Sequence, residues 1–367
     1  MSVPPSQPPQ GPWQPAPGQP PSYVPAPGQY PAWPPPGPPK KNNALKWALG
    51  VITLIAVVAV AVAVTLTVTR GGSGGRPTDG GGSGSEIASA NDTGPVAVIT
   101  TEPTCSQFTQ INNALAAQER NGWDKRDPSI PASGWSSEQR SQYEAVAAAL
   151  RSAAGQFVPL AKQTPHRVIR ELYEQTIAYK RAYADSIATY SGHDDQLIRT
   201  ANGIDAALMG ICEAITYGSA SARSLLVAAS PAPSRTAPVG DLASPSRFLT
   251  SPDAICADWV QATSQLDADT AAWRAIDSSI PATQWTPEQK DVNDNASQAM
   301  LAFADKANGL AQQTNNPIMQ DFVFLAAQYQ RVYAKALPTY TSADGYLSNA
   351  GMNAGGAVRA ACRTVGS

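Results

Sequence analysis

Four cysteines, two histidines and a stripe of tyrosines are the side chains in this sequence with the most chemistry to offer. Thiols can bind zinc, attack a carbonyl or pair with one another. A zinc site usually draws on a close pair of ligands, whereas Cys105, Cys212, Cys256 and Cys362 stand far apart. Cys105 to Cys212 is a step of 107 residues and Cys256 to Cys362 a step of 106, so two stretches of nearly equal length are bracketed. His166 and His193 belong to no His-Glu-x-x-His motif, and no Gly-rich phosphate loop or nucleophile elbow occurs. His193-Asp194-Asp195 has donors for a metal or an acid–base pair, but the residues 150 further on read Ala343-Asp344-Gly345. Acids at a helix start are favoured by its dipole, and a helix start is the preferred reading. Glu171 and Glu174 read as a solvated helix face. No catalytic residue, metal or cofactor is assigned, and the expected class is a non-enzymatic binding protein.

The tyrosines are the residues most open to a functional role. Tyr179, Tyr183 and Tyr190 are matched 150 residues later by Tyr329, Tyr333 and Tyr340. They could line a groove for an aromatic or acyl ligand. Aromatics at helical spacing are first read as core, with hydroxyls reaching the surface. Arg181 and Arg331, set between the tyrosines, are expected to face water, with an anion contact as the alternative. Trp135 and Trp285 serve either to anchor a loop on its own bundle or as interface anchors; the sequence leaves both open.

These residues sit in a text written twice. Ile130-Pro131-Ala132 returns as Ile280-Pro281-Ala282, Glu138-Gln139 as Glu288-Gln289, and Gln163-Thr164 as Gln313-Thr314. Each copy reads as four helices. The first starts near the opening cysteine. The second opens on Ser136 with Gln139, or Thr286 with Pro287 and Gln289, as capping boxes. Pro159 and Gly309 should bend or stop it late. The third keeps a three-four apolar spacing from Ile169 to Tyr190 and from Met319 to Tyr340. The fourth runs from about Asp195 to Cys212. In an up-down-up-down bundle the start of the first helix and the end of the fourth lie side by side. Cys105 would then pair with Cys212 and Cys256 with Cys362, which alone of three pairings keeps both copies self-contained. The fold class expected is all-α: two tandem disulfide-closed four-helix bundle-like repeats.

Ahead of the repeats the composition changes sharply. Residues 1–40 hold 17 of the 33 prolines and no acid, a composition that cannot bury a core and favours polyproline II. Trp47 to Thr69 is 23 residues without a charge, roughly 34 Å as a helix against a hydrocarbon core of about 30 Å. Lys40, Lys41 and Lys46 precede it, so the positive-inside rule puts the N-terminus in the cytoplasm and the repeats outside, where disulfides persist. All 28 acids follow the span, and this negative balance argues against nucleic acid as a partner. The expected domains are a Pro-rich cytoplasmic tail (1–43), a transmembrane helix (44–70), a Gly/Ser-rich tether (71–104), repeat one (105–216), a linker (217–252) and repeat two (253–367).

The stretch from Pro15 to Pro39, Lys40-Lys41, the 47–69 span and the run Gly71 to Ser85 together resemble mycobacterial and related actinobacterial proline-rich single-pass envelope proteins. That resemblance implies a plasma membrane location facing the cell wall and carries over no site residue. The reading is a membrane-anchored extracytoplasmic binding or scaffold protein, with a protein partner met through the bundles or the tail. A sensor or carrier of a small apolar or aromatic ligand is the alternative, and an enzyme the third.

Overall fold

The computed structural model describes residues 87–366. The Pro-rich tail, the expected span and the first part of the tether lie outside the described residues. Among those described, no helix is long and apolar enough to cross a membrane, and there are nine α-helices and no strand.

Four helices form the first half: α1 (Cys105–Glu119), α2 (Ser137–Gln163), α3 (Arg167–Ser186) and α4 (Asp195–Thr216). A short α5 (Ser219–Arg223) follows. The second half comprises α6 (Cys256–Asp269), α7 (Pro287–Ala311), α8 (Pro317–Ala336) and α9 (Gly345–Thr364). Both long second helices start as their sequences dictate. Ser136 and Thr286 each accept a bond from the backbone of a glutamine three residues on, and Gln139 and Gln289 reach back to complete the box. The late stop does not occur: α2 runs through Pro159 to Gln163, and α7 through Gly309 to Ala311. Tertiary packing outweighs a local penalty here, since Phe157, Leu160 and Ala161 are all buried on that last turn. The third helices end earlier than the tyrosine spacing implies, at Ser186 and Ala336, so Tyr190 and Tyr340 stand beyond them.

Within each half, consecutive helices pack on one another. The disulfides join Cys105 to Cys212 and Cys256 to Cys362, the pairing expected. The two halves are one compact unit, a point on which the sequence is silent. Their seam is the α4–α9 contact, the most extensive between any two helices. Gly203 faces Ala357 and Gly210 faces Ala350, so the helices run antiparallel. A Cβ built on Gly210 would stand 2.6 Å from the Ala350 nitrogen, and only glycine allows that approach.

Two stretches read from composition as tether and linker pack against the helices. From Ile87 onward the tether is part of the body: Val96, Val98 and Ile99 are buried, and the Ile99 nitrogen donates a 3.1 Å bond to the Tyr329 hydroxyl. Between 217 and 252, Leu242, Phe248 and Leu249 are buried, and the Gln175 side chain bonds both Ser246 O (3.1 Å) and Phe248 N (2.8 Å). Apolar residues spaced among Ser, Pro and Gly escape a compositional reading but still have area to bury.

Candidate functional site

The tyrosine stripe is core. Tyr179, Tyr183 and Tyr329 are fully buried, Tyr190, Tyr333 and Tyr340 nearly so. Tyr183 meets Tyr190 and Trp123 edge to face at ring-centroid distances of 6.0 Å, and in the second half Tyr333 meets Tyr340 at 6.1 Å and Trp273 at 5.6 Å. Burial pushes the pKa of all six hydroxyls above the ordinary tyrosine range. The rings fill space between their own helices.

The tryptophans take the loop-anchoring role. Trp135 Nε1 donates to Ile130 O at 2.9 Å and its ring stacks on Tyr143 at 3.8 Å; Trp285 Nε1 donates to Ile280 O at 3.0 Å and stacks on Tyr340 at 5.7 Å. The recurring words prove to be mutual partners. Ala132 N donates to Tyr190 O and the Tyr190 hydroxyl to Pro128 O, both at 2.8 Å; Ala282 N and the Tyr340 hydroxyl repeat this on Tyr340 O (3.0 Å) and Ser278 O (2.7 Å). Likewise Thr164 donates to Glu102 (2.6 Å) and Thr314 to Asp253 (2.8 Å). An open surface depression of about 370 Å³ lies beside this loop, with Pro131, Arg140, Tyr190 and Ser191 on its walls.

The arginines do not converge. Arg181 is half-buried and donates to Ala243 O, while Arg331 pairs with the exposed Asp305 at 2.5 Å. Asp194 closes a capping box with Ser191, so His193-Asp194-Asp195 opens a helix as read. Asp195 itself is buried between Arg126 and Arg199, at 2.6 and 2.5 Å. Among the described residues, no group of three or more His, Cys, Asp or Glu side chains is placed to hold a metal ion.

The polar chemistry of the body lies instead along α3, where the sequence was read as a solvated face. Glu171 is fully buried and Glu174 nearly so, together with Arg167, Arg170, Gln175, Thr176 and Lys180. Arg167 is the hub. Its Nε and Nη2 donate to Asp321 of α8 at 2.7 and 3.1 Å, and its Nη1 to the carbonyls of Asp92 and Gly94 at 2.9 and 3.0 Å. One guanidinium thus ties α3 to the other half and to the 87–104 segment. Arg170 donates to Glu174 at 2.7 Å and to Ser89 at 3.1 Å. Glu171 lies between them, 3.8 Å from Arg170 Nη2 and 4.0 Å from Arg167 Nε, with no hydrogen bond to either oxygen. Burial pushes its carboxyl well above the ordinary range, and the neighbouring Asp321 carboxylate pushes the same way.

One signal could have found this ionic core. Positions 150 further on are Phe324 for Glu174, Leu325 for Gln175 and Ala326 for Thr176. If the two copies fold alike, a face that is apolar in one copy is enclosed in the other, whatever its polarity.

A family model described as mycobacterial ESX-1 associated protein matches residues 87–366. The chain belongs to that family. The matched stretch is the packed body itself, beginning where the helices' N-terminal covering segment begins. An uncharacterised protein of Mycolicibacterium smegmatis (strain MKD8) is 44% identical over 365 residues, covering 97% of this chain and 96% of that protein. No solved structure matches the chain. In this member of the ESX-1 associated family, the large apolar side chains left open among the described residues are not the loop tryptophans but Leu225 (96% exposed), Tyr217 (61%) and Leu226 (39%). Tyr217, just after α4, stacks on Tyr346 of α9 at 4.9 Å, across the seam between the halves.

Proposed function

We propose that this chain is a membrane-anchored, non-enzymatic binding or scaffold protein of the mycobacterial envelope, with a secretion-related role alongside ESX-1. In this reading the body is two copies of one four-helix module, each closed by its own disulfide and fused through α4 and α9. The expected 47–69 span holds it at the outer face of the plasma membrane, and the Pro-rich tail recruits a partner in the cytoplasm. The observation that carries the proposal is the family match over the whole packed body. Supporting it, the residues with most chemistry serve the fold: tyrosines fill the core, tryptophans pin loops and the charges are spent on one another. A carrier of an aromatic or acyl ligand would need space beside Tyr179 or Tyr183, and both are packed at 0% exposure.

Deletion of the chain in its mycobacterial host, followed by quantification of ESX-1 substrates in culture filtrate, tests the role. Secretion is expected to fall and to return with the full chain, but not with residues 87–366 made without the N-terminal anchor. Unchanged secretion on deletion would remove the secretion role. Full rescue by the unanchored body would remove the scaffold reading.

A further inference from the structure

Not every charge on the body is spent on another. Gly203 of α4 faces Ala357 of α9, and Gly210 faces Ala350. Carried along in this antiparallel register, Arg199 near the start of α4 comes opposite Ala361. Arg359 and Arg363 stand two residues to either side of that alanine, one turn apart on α9. Three guanidinium groups from two helices therefore meet at one end of the seam. The loop before α4 holds the same end closed, with His193 Nε2 and Thr364 O 2.9 Å apart.

The carboxylates here are too few. Asp195 is shared between Arg126 and Arg199, at 2.6 and 2.5 Å, and Asp267 of α6 between Arg359 and Arg274, at 2.6 and 3.6 Å. Asp194 is occupied by Ser191. Arg363 is exposed and forms no ion pair among the described residues. Partial burial lowers its pKa, the Arg359 and Arg199 charges lower it further, and Asp267 acts the other way. Arg363 thus stands in a locally positive field on a chain that is negative overall.

The helix pair does not need these charges in order to close. The positions 150 residues away, which fall at the opposite end of the same seam, hold Asn349, Met209 and Glu213, with no cation among them. The dipole of α9 favours a cation in its last turn. That accounts for Arg363 by itself and not for three arginines brought together.

We propose that Arg199, Arg359 and Arg363 form a binding site for a phosphate group, at the end of the seam where α4 begins and α9 ends. A guanidinium presents a planar fork of N–H donors that matches phosphate oxygens. The oxygens of a phosphate point several ways and can meet guanidinium groups from two helices at once, which the two coplanar oxygens of a carboxylate do less well. Arg363 supplies the fork that no carboxylate holds, and Arg199 and Arg359 add the N–H groups left over from Asp195 and Asp267. Inorganic phosphate and a phospholipid headgroup offer this same chemistry. The site rests on the seam geometry and holds whether or not the scaffold reading does.

The test uses the full-length chain in phosphatidylcholine nanodiscs, melted in inorganic phosphate and in sodium chloride at equal ionic strength. Phosphate should raise the wild-type midpoint above that in chloride, since a ligand of the folded state stabilises it. Joint replacement Arg199→Gln and Arg363→Gln, both at exposed positions, should weaken the response to phosphate by about tenfold or more. Lys306→Gln removes an exposed cation from α7 and should leave the response unchanged. Line broadening of the phosphate phosphorus NMR signal reads binding directly if the double variant melts too low to titrate. Adding phosphatidylglycerol to the nanodiscs separates the sources. A headgroup in the site abolishes the response to added phosphate, and an undiminished response identifies free phosphate as the ligand. A wild-type chain that answers phosphate and chloride alike in both kinds of nanodisc, or an equal loss in Lys306→Gln, overturns the site.

Discussion

At the scale of single residues, Arg167 bears the most. It satisfies Asp321 twice out of water and two part-buried backbone carbonyls. Replacing it by methionine fills similar volume but strands the Asp321 carboxylate. Removing one partner of a buried pair costs about 3–5 kcal/mol, and denaturant unfolding of Arg167→Met should read a loss of that size. Glu171 gives a pH signature. Its folded carboxyl titrates above the ordinary 4.5 because burial disfavours the charge, so the folded state holds a proton that the unfolded state releases first. That contribution is complete below about 4.5 and is lost as pH rises through the folded value. Glu171→Gln should therefore match wild type in acid and exceed it at mildly alkaline pH; a variant that loses stability equally at every pH would refute this. The misreading of Glu171 and Glu174 has a physical source. Periodicity sends polar residues outward by default, but α3 is covered on its far side by the 87–104 and 246–249 segments, which composition presents as loops.

At the scale of elements, the helices were legible where their signals are local. The capping boxes at Ser136 and Thr286 depend on residues three apart, and both formed where expected. The stop expected at Pro159 does not occur, because its penalty is local while the apolar turn that outweighs it is tertiary. The α4–α9 seam was illegible, since glycines weaken a helix in isolation and reveal a partner only when one is present. It makes a sharp prediction. Gly210→Leu must push α9 away, because even a Cβ would meet the Ala350 backbone at 2.6 Å; overpacking of this kind costs about 1–3 kcal/mol or more. Gly309→Ala on α7, where nothing lies within 4 Å, should instead stabilise by about 0.5–1 kcal/mol. Thermal unfolding of both variants separates the seam from general helix propensity: equal effects of one sign would contradict the close approach.

At the scale of the whole molecule, the disulfide pairing and the all-helical class could be read from cysteine spacing and apolar periodicity. How the halves sit together could not, because it rests on the α4–α9 approach and on Arg167 reaching across to Asp321. The proposal that this disulfide-closed body works outside the plasma membrane is open to a direct test. Cytoplasmic thiols are kept reduced, whereas the envelope side lets disulfides persist. Cells making the full chain should be acid-quenched, their free thiols alkylated, and the chain mapped by non-reducing peptide mass spectrometry. The account expects Cys105 joined to Cys212 and Cys256 to Cys362 in nearly every molecule. Four alkylated, reduced cysteines would place the body on the cytoplasmic side and contradict it.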